Sequence, residues 1–347
     1  MKPLFIWAGG KNKLLKDYAD FLPQNFDKYS EPFLGGGAMF IWAYNKNPNA
    51  HFYLNDLNEH IIGVYTAIKE NPEDFLNILD KLCEEYLSLP KGEPCKELEK
   101  KHKKKYNVVD WKKVFEEVPS KRHYYFMKRN EYQFDYDKWK DNPVEEAANL
   151  YFLMKTGFNG IWQTKTWNTE KRGIPPTDIS KAIGRFNTPC GLLNQGVPMR
   201  NGMIKQVYEK KDVLAWHKAL QNCTLTSRDF KDTFEFIDKD SYVFLDPPYR
   251  QLPDEKKQKK PQVKKEKLQY GVSFDDKLQE SVLDYFNSAK EKGAYVLLSN
   301  RDVGDGFFEK RLRNNKIHPI EVTYTAGRRK KTENGFEAKK AKEILMY

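Results

Sequence analysis

The chain has no run of about 18 apolar residues, the length a membrane-crossing helix needs. Its N-terminal apolar stretch, Leu4-Phe5-Ile6-Trp7-Ala8, is short and runs into Gly9-Gly10-Lys11, unlike a secretory leader. Cysteine is scarce. Cys83, Cys95, Cys190 and Cys223 show no C-x-x-C spacing, so neither a zinc site nor a disulfide framework is indicated, and no metal is expected. A reducing, cytoplasmic setting is the simple reading of that scarcity. No repeat at solenoid periods is present. What is abundant is aromatic side chain: 22 Phe, 20 Tyr and 7 Trp supply a packed core and exclude global disorder. At 347 residues, one large domain or two unequal ones are expected.

Sixty Lys and Arg against forty-nine Asp and Glu leave a net charge of +11. That suits a polyanionic partner, but a lysine-rich soluble surface gives the same number, so charge alone does not decide.

Periodicity splits the chain. Up to about residue 70, helical and strand patterns alternate. A helix capped by Asn12 is expected through Leu14, Leu15, Tyr18 and Leu22. A strand from Tyr29 to Leu34 is followed by a helix with Met39, Phe40 and Trp42, and then by a strand over Phe52–Leu54. From Asn71 to Phe186 helical patterns dominate, over Phe75–Leu82, Tyr124–Tyr132 and Val144–Met154. The lysine run Lys96–Lys105 reads as a solvated face or loop, and Gln163–Gly202 as loops. The α/β pattern then returns. A helix over Val213–Leu220 leads to strands at Cys223–Thr226, Tyr242–Leu245 and Tyr295–Asn300, with a helix over Leu278–Ala289. Ile320–Tyr324 and Ile344–Tyr347 are expected as an antiparallel pair at the sheet edge.

Two segments carry chemistry. Glu31-Pro32-Phe33-Leu34-Gly35-Gly36-Gly37 places glycines between a strand and a helix, where a ligand can approach backbone closely. Asp56 follows roughly 20 residues later at the next strand's tip, where an acidic residue binds a ribose. A G-x-G-x-x-G motif would need glycine at position 40, which is Phe40, so a pyrophosphate site is disfavoured. Asp246-Pro247-Pro248-Tyr249 is more specific. It ends an apolar strand, removes two N–H donors, and offers a carboxylate, carbonyls and an aromatic face together. That set suits an exocyclic amino group on a planar base.

With these motifs the chain resembles the DNA adenine-N6 methyltransferases of the Dam type, the D12 class with the alpha order of motifs. Trp7 to Lys11, Glu31 to Gly37, Asn55-Asp56, Asp229-Phe230 and Asp246 to Tyr249 match in order. So do the tail segments Tyr295 to Asn300 and Arg328 to Tyr347. Gly157-Phe158-Asn159-Gly160 and Phe186 to Gly191 look like two further family landmarks, separated here by extra sequence over roughly residues 162–185. The resemblance implies a Rossmann-like α/β sheet dependent on S-adenosyl-L-methionine. Its catalytic domain would be discontinuous, over 1–70 and 187–347, with a mainly helical target-recognition domain inserted at 71–186. It implies methyl transfer to the amino nitrogen of an adenine flipped out of double-stranded DNA, with Asp246, Pro247 and Tyr249 catalytic. Trp7, Lys11, Phe33, Gly35, Gly37, Asp56, Asp229, Phe230 and Asp246 would hold the cofactor. Phe33 and Phe230 are equally ordinary core residues by composition, and Asp229 is equally a helix cap. For DNA, Asn159, Arg172, Arg185, Lys256 and Lys257 are the candidates, with Lys165 a weaker one, and the lysine-rich loop Gln251–Tyr270 is expected to close over the backbone. A cognate restriction endonuclease and a monomer or weak dimer complete the expectation. Two other readings stand beside it: a catalytically silent DNA-binding protein on this scaffold, and a methyltransferase acting on RNA or another amino group.

Overall fold

The computed structural model describes residues 1–7, 10–11, 14–104, 106, 108–169, 173–182, 184–191, 207–250, 274–312, 316–324, 330–332, 335–337 and 339–347. The chain forms two compact units. One comprises Pro3–Trp7 and Gly63–Leu220, the other Ala8–Ile62 and Gln221–Tyr347.

The second unit is built on a sheet. Its strands are β1 (Lys28–Glu31), β2 (His51–Asn55), β3 (Cys223–Thr226), β4 (Ser241–Leu245), β5 (Tyr295–Arg301), β6 (Ile317–Tyr324) and β9 (Lys339–Met346). The spatial order is β3-β2-β1-β4-β5-β9-β6, while β7 (Lys330–Thr332) and β8 (Gly335–Glu337) pair only with each other. Strands β1 to β5 are mutually parallel, and β9 runs antiparallel to both β5 and β6. The expected fold class, an α/β sheet of Rossmann type with an antiparallel edge, is therefore what the chain adopts. From β1 the chain steps outward to β2 and β3, then returns to lay β4 on the other side of β1. The strand order reverses between β1 and β4, which is where open α/β sheets form a crevice beyond their carboxyl ends.

All five residues of β4 are buried, as the run Tyr-Val-Phe-Leu requires of a strand covered on both faces. Val243 and Leu245 face Val282, Leu283 and Phe286 of the helix Asp276–Glu291. Tyr242 faces the other way, with its ring 5.2 Å from Tyr29 and 5.6 Å from Phe26. Asp275 caps the helix, accepting the Leu278 N–H at 3.0 Å.

The strand expected over Tyr29–Leu34 stops at Glu31. Pro32 has no N–H to continue the ladder, and the Leu34 N–H turns to the Asn55 carbonyl at 2.9 Å instead. The helix expected from Asn12 is shorter than its pattern, an α-turn over Leu15–Tyr18 continued as a 3-10 turn to Phe21; Asn12 itself lies outside the described residues.

The other unit is helical, with Pro72–Ser88, Lys121–Phe134 and Pro143–Thr156 as its long elements. Proline opens the first and last, where its missing N–H costs nothing. Aromatic edges pack between them: Phe152 lies 5.4 Å from Tyr86 and 5.9 Å from Tyr124, and Trp111 stacks on Phe126 at 4.4 Å. Part of the lysine run read as a face or loop is helical, over Lys96–Lys101, where Glu97 and Glu99 occupy the first turn. The helix Lys210–Leu220 belongs to this unit as well. No helix of the described residues is long and apolar enough to cross a membrane.

Candidate active site

Both motif loops leave the carboxyl ends of adjacent parallel strands. Glu31 ends β1, and Asp246 directly follows β4. Asp56 follows β2, and Asp229-Phe230 lie just beyond β3. Buried Asn55 ties these loops together. Its amide donates to the Pro32 and Arg228 carbonyls at 3.0 Å each, and its oxygen accepts from Thr226 Oγ1 at 2.8 Å and the Arg228 N–H at 3.1 Å. Every hydrogen-bonding position of that side chain is used for positioning.

The glycine loop has the backbone that only glycine takes easily: φ is +48° at Gly35 and +69° at Gly37, which begins the helix Ala38–Lys46. Asp56 holds this loop. Its Oδ2 accepts the Gly35 N–H at 2.8 Å and its Oδ1 the Asn58 N–H at 2.9 Å. Burial pushes the Asp56 carboxyl above its ordinary range, against the pull of those two N–H groups. Phe33 and Phe230 touch each other, with ring centroids 5.2 Å apart, so they form one aromatic wall rather than a slot. Asp229 caps the 3-10 turn Phe230–Phe236, accepting the Lys231 N–H at 2.9 Å.

At the β4 end, Lys11 is buried and pairs with Asp246 at 2.9 Å. It also donates to the Tyr249 hydroxyl and lies 3.9 Å from Glu343. That hydroxyl in turn donates to Glu343 at 2.9 Å and meets Ser299 Oγ at 2.8 Å, which meets the Tyr18 hydroxyl at 3.0 Å. Burial raises the Asp246 carboxyl; Lys11 opposes the shift and Glu343 adds to it. Burial and the charge of Asp246 hold the Tyr249 hydroxyl protonated far above its usual range. Nearby Glu31, fully buried, accepts from Tyr29 at 2.7 Å, and burial drives its carboxyl well upward.

The two proline carbonyls of the motif differ. Pro248 accepts from Gln279 Nε2 at 2.8 Å, whereas among the described residues nothing donates to Pro247. Gln279 is itself held by Asn300 at 2.9 Å. Arg250 anchors the turn's exit, clasping Asp276 through two bonds of 2.8 and 2.9 Å and Asp305 at 2.6 Å, above the Phe307 ring.

Of the residues expected to act, Lys11, Phe33, Gly35, Gly37, Asp56, Asp229, Phe230, Asp246, Pro247 and Tyr249 all fall in the sheet unit, whereas Trp7 groups with the helical unit. In the helical unit, Asn159 is exposed with φ of +55°. The two landmark segments meet there: Phe158 N–H donates to the Pro189 carbonyl at 2.8 Å and Gly191 N–H to Thr156 at 3.0 Å. Arg185 is buried, not presented outward. It pairs with Glu146, donates to the Tyr132 carbonyl at 2.9 Å and lies over the Tyr132 ring. Lys165 lies over Phe134, and burial lowers its ammonium. Ala8, Gly9, Arg172, Lys256, Lys257 and the whole loop Gln251–Tyr270 lie outside the described residues.

Sequence reasoning missed Glu343, Ser299, Arg250 and Gln279. The available signal was slight: a lone Glu ahead of Ile344-Leu345-Met346, and an Arg directly after the motif. Among the described residues no group of three or more His, Cys, Asp or Glu is placed to hold a metal.

The glycine loop after β1 and the Asp-Pro-Pro-Tyr turn after β4 thus flank the point where the strand order reverses, the place where open α/β sheets bind ligands. The family model of D12 class N6 adenine-specific DNA methyltransferases matches residues 7–170 and 184–326, and the chain belongs to that family. It is similar to the Type II methyltransferase M.MjaIII of Methanocaldococcus jannaschii, 25% identical over 305 residues that cover 86% of this chain and 84% of that one. It is also similar to the Type II methyltransferase M1.LlaDCHI of Lactococcus lactis subsp. cremoris, 23% identical over 94% of this chain and 90% of that one. The DNA adenine methylase of Haemophilus influenzae is 26% identical over 87% of this chain and 80% of its own.

Proposed function

We propose that this methyltransferase uses S-adenosyl-L-methionine and methylates the amino nitrogen of an adenine extruded from double-stranded DNA. The observation that carries the reading is the turn after β4. Asp246 stands beside a proline carbonyl with no bound donor among the described residues, at the sheet's switch point.

The residues fit the cofactor by their chemistry. Asp56 is a carboxylate for ribose hydroxyls, Phe33 and Phe230 are an apolar wall for a purine, and Gly35 and Gly37 keep the backbone close. Asp246 and Glu343, with Lys11 between them, make the β4 end net negative, which favours a cation. When bound, the cofactor supplies an electrophilic methyl on a cationic sulfur, and the carbon–sulfur bonding electrons leave with that sulfur. The protein's part is to make a poor nucleophile react. Asp246 and the Pro247 carbonyl each accept one amino hydrogen, which draws the nitrogen toward tetrahedral geometry and turns its lone pair toward the methyl. As the nitrogen–carbon bond forms the nitrogen becomes positive, and Asp246, its proton affinity raised by burial, is placed to take the released proton. Tyr249 offers its ring to the extruded base, where stacking contributes about 1–3 kcal/mol.

In this reading the helical unit recognises the target, with Asn159 and Arg172 among the contacts and the loop with Lys256 and Lys257 on the backbone. Arg185 is instead an internal fastener of that unit. A restriction endonuclease partner, a monomer or weak dimer, and a cytoplasmic setting complete the reading. The test is to treat unmethylated DNA, RNA and protein with the enzyme and cofactor and to analyse each for methyl products. N6-methyladenine in duplex DNA alone supports the proposal, and product only in RNA or protein overturns it.

A further inference from the structure

The buried carboxylate of Glu343 needs an explanation. It sits on β9, opposite Arg301 of β5, and is only 1% exposed. A carboxylate taken out of water is costly unless its partners are good. Two of its partners border the turn after β4. The Tyr249 hydroxyl donates to it at 2.9 Å, and the Lys11 ammonium lies 3.9 Å away.

The Tyr249 hydroxyl is fully subscribed. Its proton goes to Glu343, Lys11 donates to it, and Ser299 Oγ, bonded in turn to Tyr18, lies 2.8 Å away. A phenol held at all three positions fixes the plane of its ring. Lys11 lies 2.9 Å from Asp246 and 3.9 Å from Glu343, so the Glu343 charge competes for it. With Glu343 negative, Lys11 is drawn off Asp246 in part, which leaves Asp246 electron density for another donor. Without that charge, Lys11 and Asp246 close as a simple pair, and the carboxylate is neutralised where an amino group should bind.

We propose that Glu343 is a positioning residue for methyl transfer: through Tyr249 and Lys11 it fixes the ring that faces the target base and keeps Asp246 available to the target amine. This rests on the reading of Asp246 and Tyr249 given above, and it concerns a residue that never touches the substrate.

The test compares the full-length protein with Glu343→Gln, Tyr249→Phe and the double variant, with Asp246→Ala measured alongside. The probes are tritiated S-adenosyl-L-methionine and unmethylated genomic duplex DNA. Single-turnover rate, cofactor Kd by calorimetry and melting temperature are read for each. Glu343→Gln should slow single-turnover transfer about tenfold or more, with Kd within about threefold. Tyr249→Phe, which keeps the ring and removes the hydroxyl, should lose a similar factor, and the double variant less than the product of the two, because the Tyr249 link is common to both. The pH profile supplies a readout that a purely structural role would not move. Asp246 is faced by Lys11, Tyr249, Glu343 and Glu31, with Tyr29 and Tyr18 behind them. Removing the Glu343 charge lowers the proton affinity of Asp246, so the acid limb of the rate should move to lower pH in Glu343→Gln.

An unchanged rate in folded Glu343→Gln overturns the inference, and so do fully multiplicative effects of the two substitutions or an acid limb that stays in place. If Glu343→Gln does not fold, Tyr249→Phe decides: a rate equal to wild type overturns the link. Loss of transfer in Asp246→Ala together with an unaffected Glu343→Gln sinks this inference and leaves the proposed function standing. Retained transfer in Asp246→Ala sinks the reading beneath it.

Discussion

Replacing Asp56 by Asn keeps its size and removes one acceptor. In the native loop the two carboxylate oxygens each take a backbone N–H, Gly35 at 2.8 Å and Asn58 at 2.9 Å. An amide has one oxygen, so one of those N–H groups must face an NH2. Leaving a buried donor unsatisfied costs about 1–3 kcal/mol, and a hydrogen bond from a ribose hydroxyl to a charged acceptor contributes about 1.5–3 kcal/mol. The two effects overlap, because a loop already displaced cannot offer its acceptor. Even the larger one alone corresponds to roughly 10- to 150-fold in affinity. Calorimetry with S-adenosyl-L-methionine should therefore show Kd for Asp56→Asn weakened at least about tenfold, and affinity for DNA little changed. The sign of the pH effect follows from burial, which raises the Asp56 carboxyl. The carboxylate is intact above that raised value and lost as pH falls through it, so wild-type affinity should decline toward acid earlier than an ordinary aspartate would allow. The gap between wild type and Asp56→Asn should close over the same range. A folded Asp56→Asn that binds within twofold of wild type would refute the assignment of Asp56 to the cofactor.

Glu31→Gln tests the electrostatics beneath β1. Burial raises the native Glu31 carboxyl, so its favourable contribution is present below the ordinary carboxylate range and lost as pH rises through the raised value. Thermal melts should show Glu31→Gln gaining on wild type as pH rises, and a constant difference would contradict this. Arg185→Ala should destabilise the helical unit by about 3 kcal/mol, the lower end for breaking a buried pair, because Glu146 keeps some contact with water. Chemical denaturation measures it, and a loss of DNA affinity with unchanged stability would return Arg185 to the interface. Arg250→Ala removes the clasp on Asp276 and Asp305 directly after Tyr249, so transfer should slow with cofactor affinity largely kept; equal loss of both would mean general disruption.

The turn after β4 was legible because two strong local signals coincide: an unbroken apolar run that must be a covered strand, and a Pro-Pro pair that must end it. The glycine loop and Asp56 were legible from backbone freedom and spacing. What holds them in place was not. Arg250 finds its partners 26 and 55 residues away, and Glu343 reaches Tyr249 across 94. No local pattern encodes such pairs: Arg250 meets Asp276 only once the helix Asp276–Glu291 packs on the sheet, and Tyr249 meets Glu343 only once β9 lies beside β5. Arg185 misled for a related reason: a positive charge in a loop-rich stretch reads as exposed until tertiary packing puts a carboxylate beside it. The Lys96–Lys101 segment is the solvated face expected of a lysine run, carried on a short helix with Glu97 and Glu99 in its first turn.

The central claim is that Asp246 activates an adenine amino group. The most direct measurement is single-turnover tritium transfer from S-adenosyl-L-methionine to unmethylated duplex DNA, with nucleoside analysis, for wild type and Asp246→Ala at matched cofactor occupancy. Label should appear solely in N6-methyladenine for wild type, and transfer should be at least a thousandfold slower in the variant, about 4 kcal/mol of lost transition-state stabilisation. Label in another base, or a variant that transfers at near the wild-type rate, would contradict that claim.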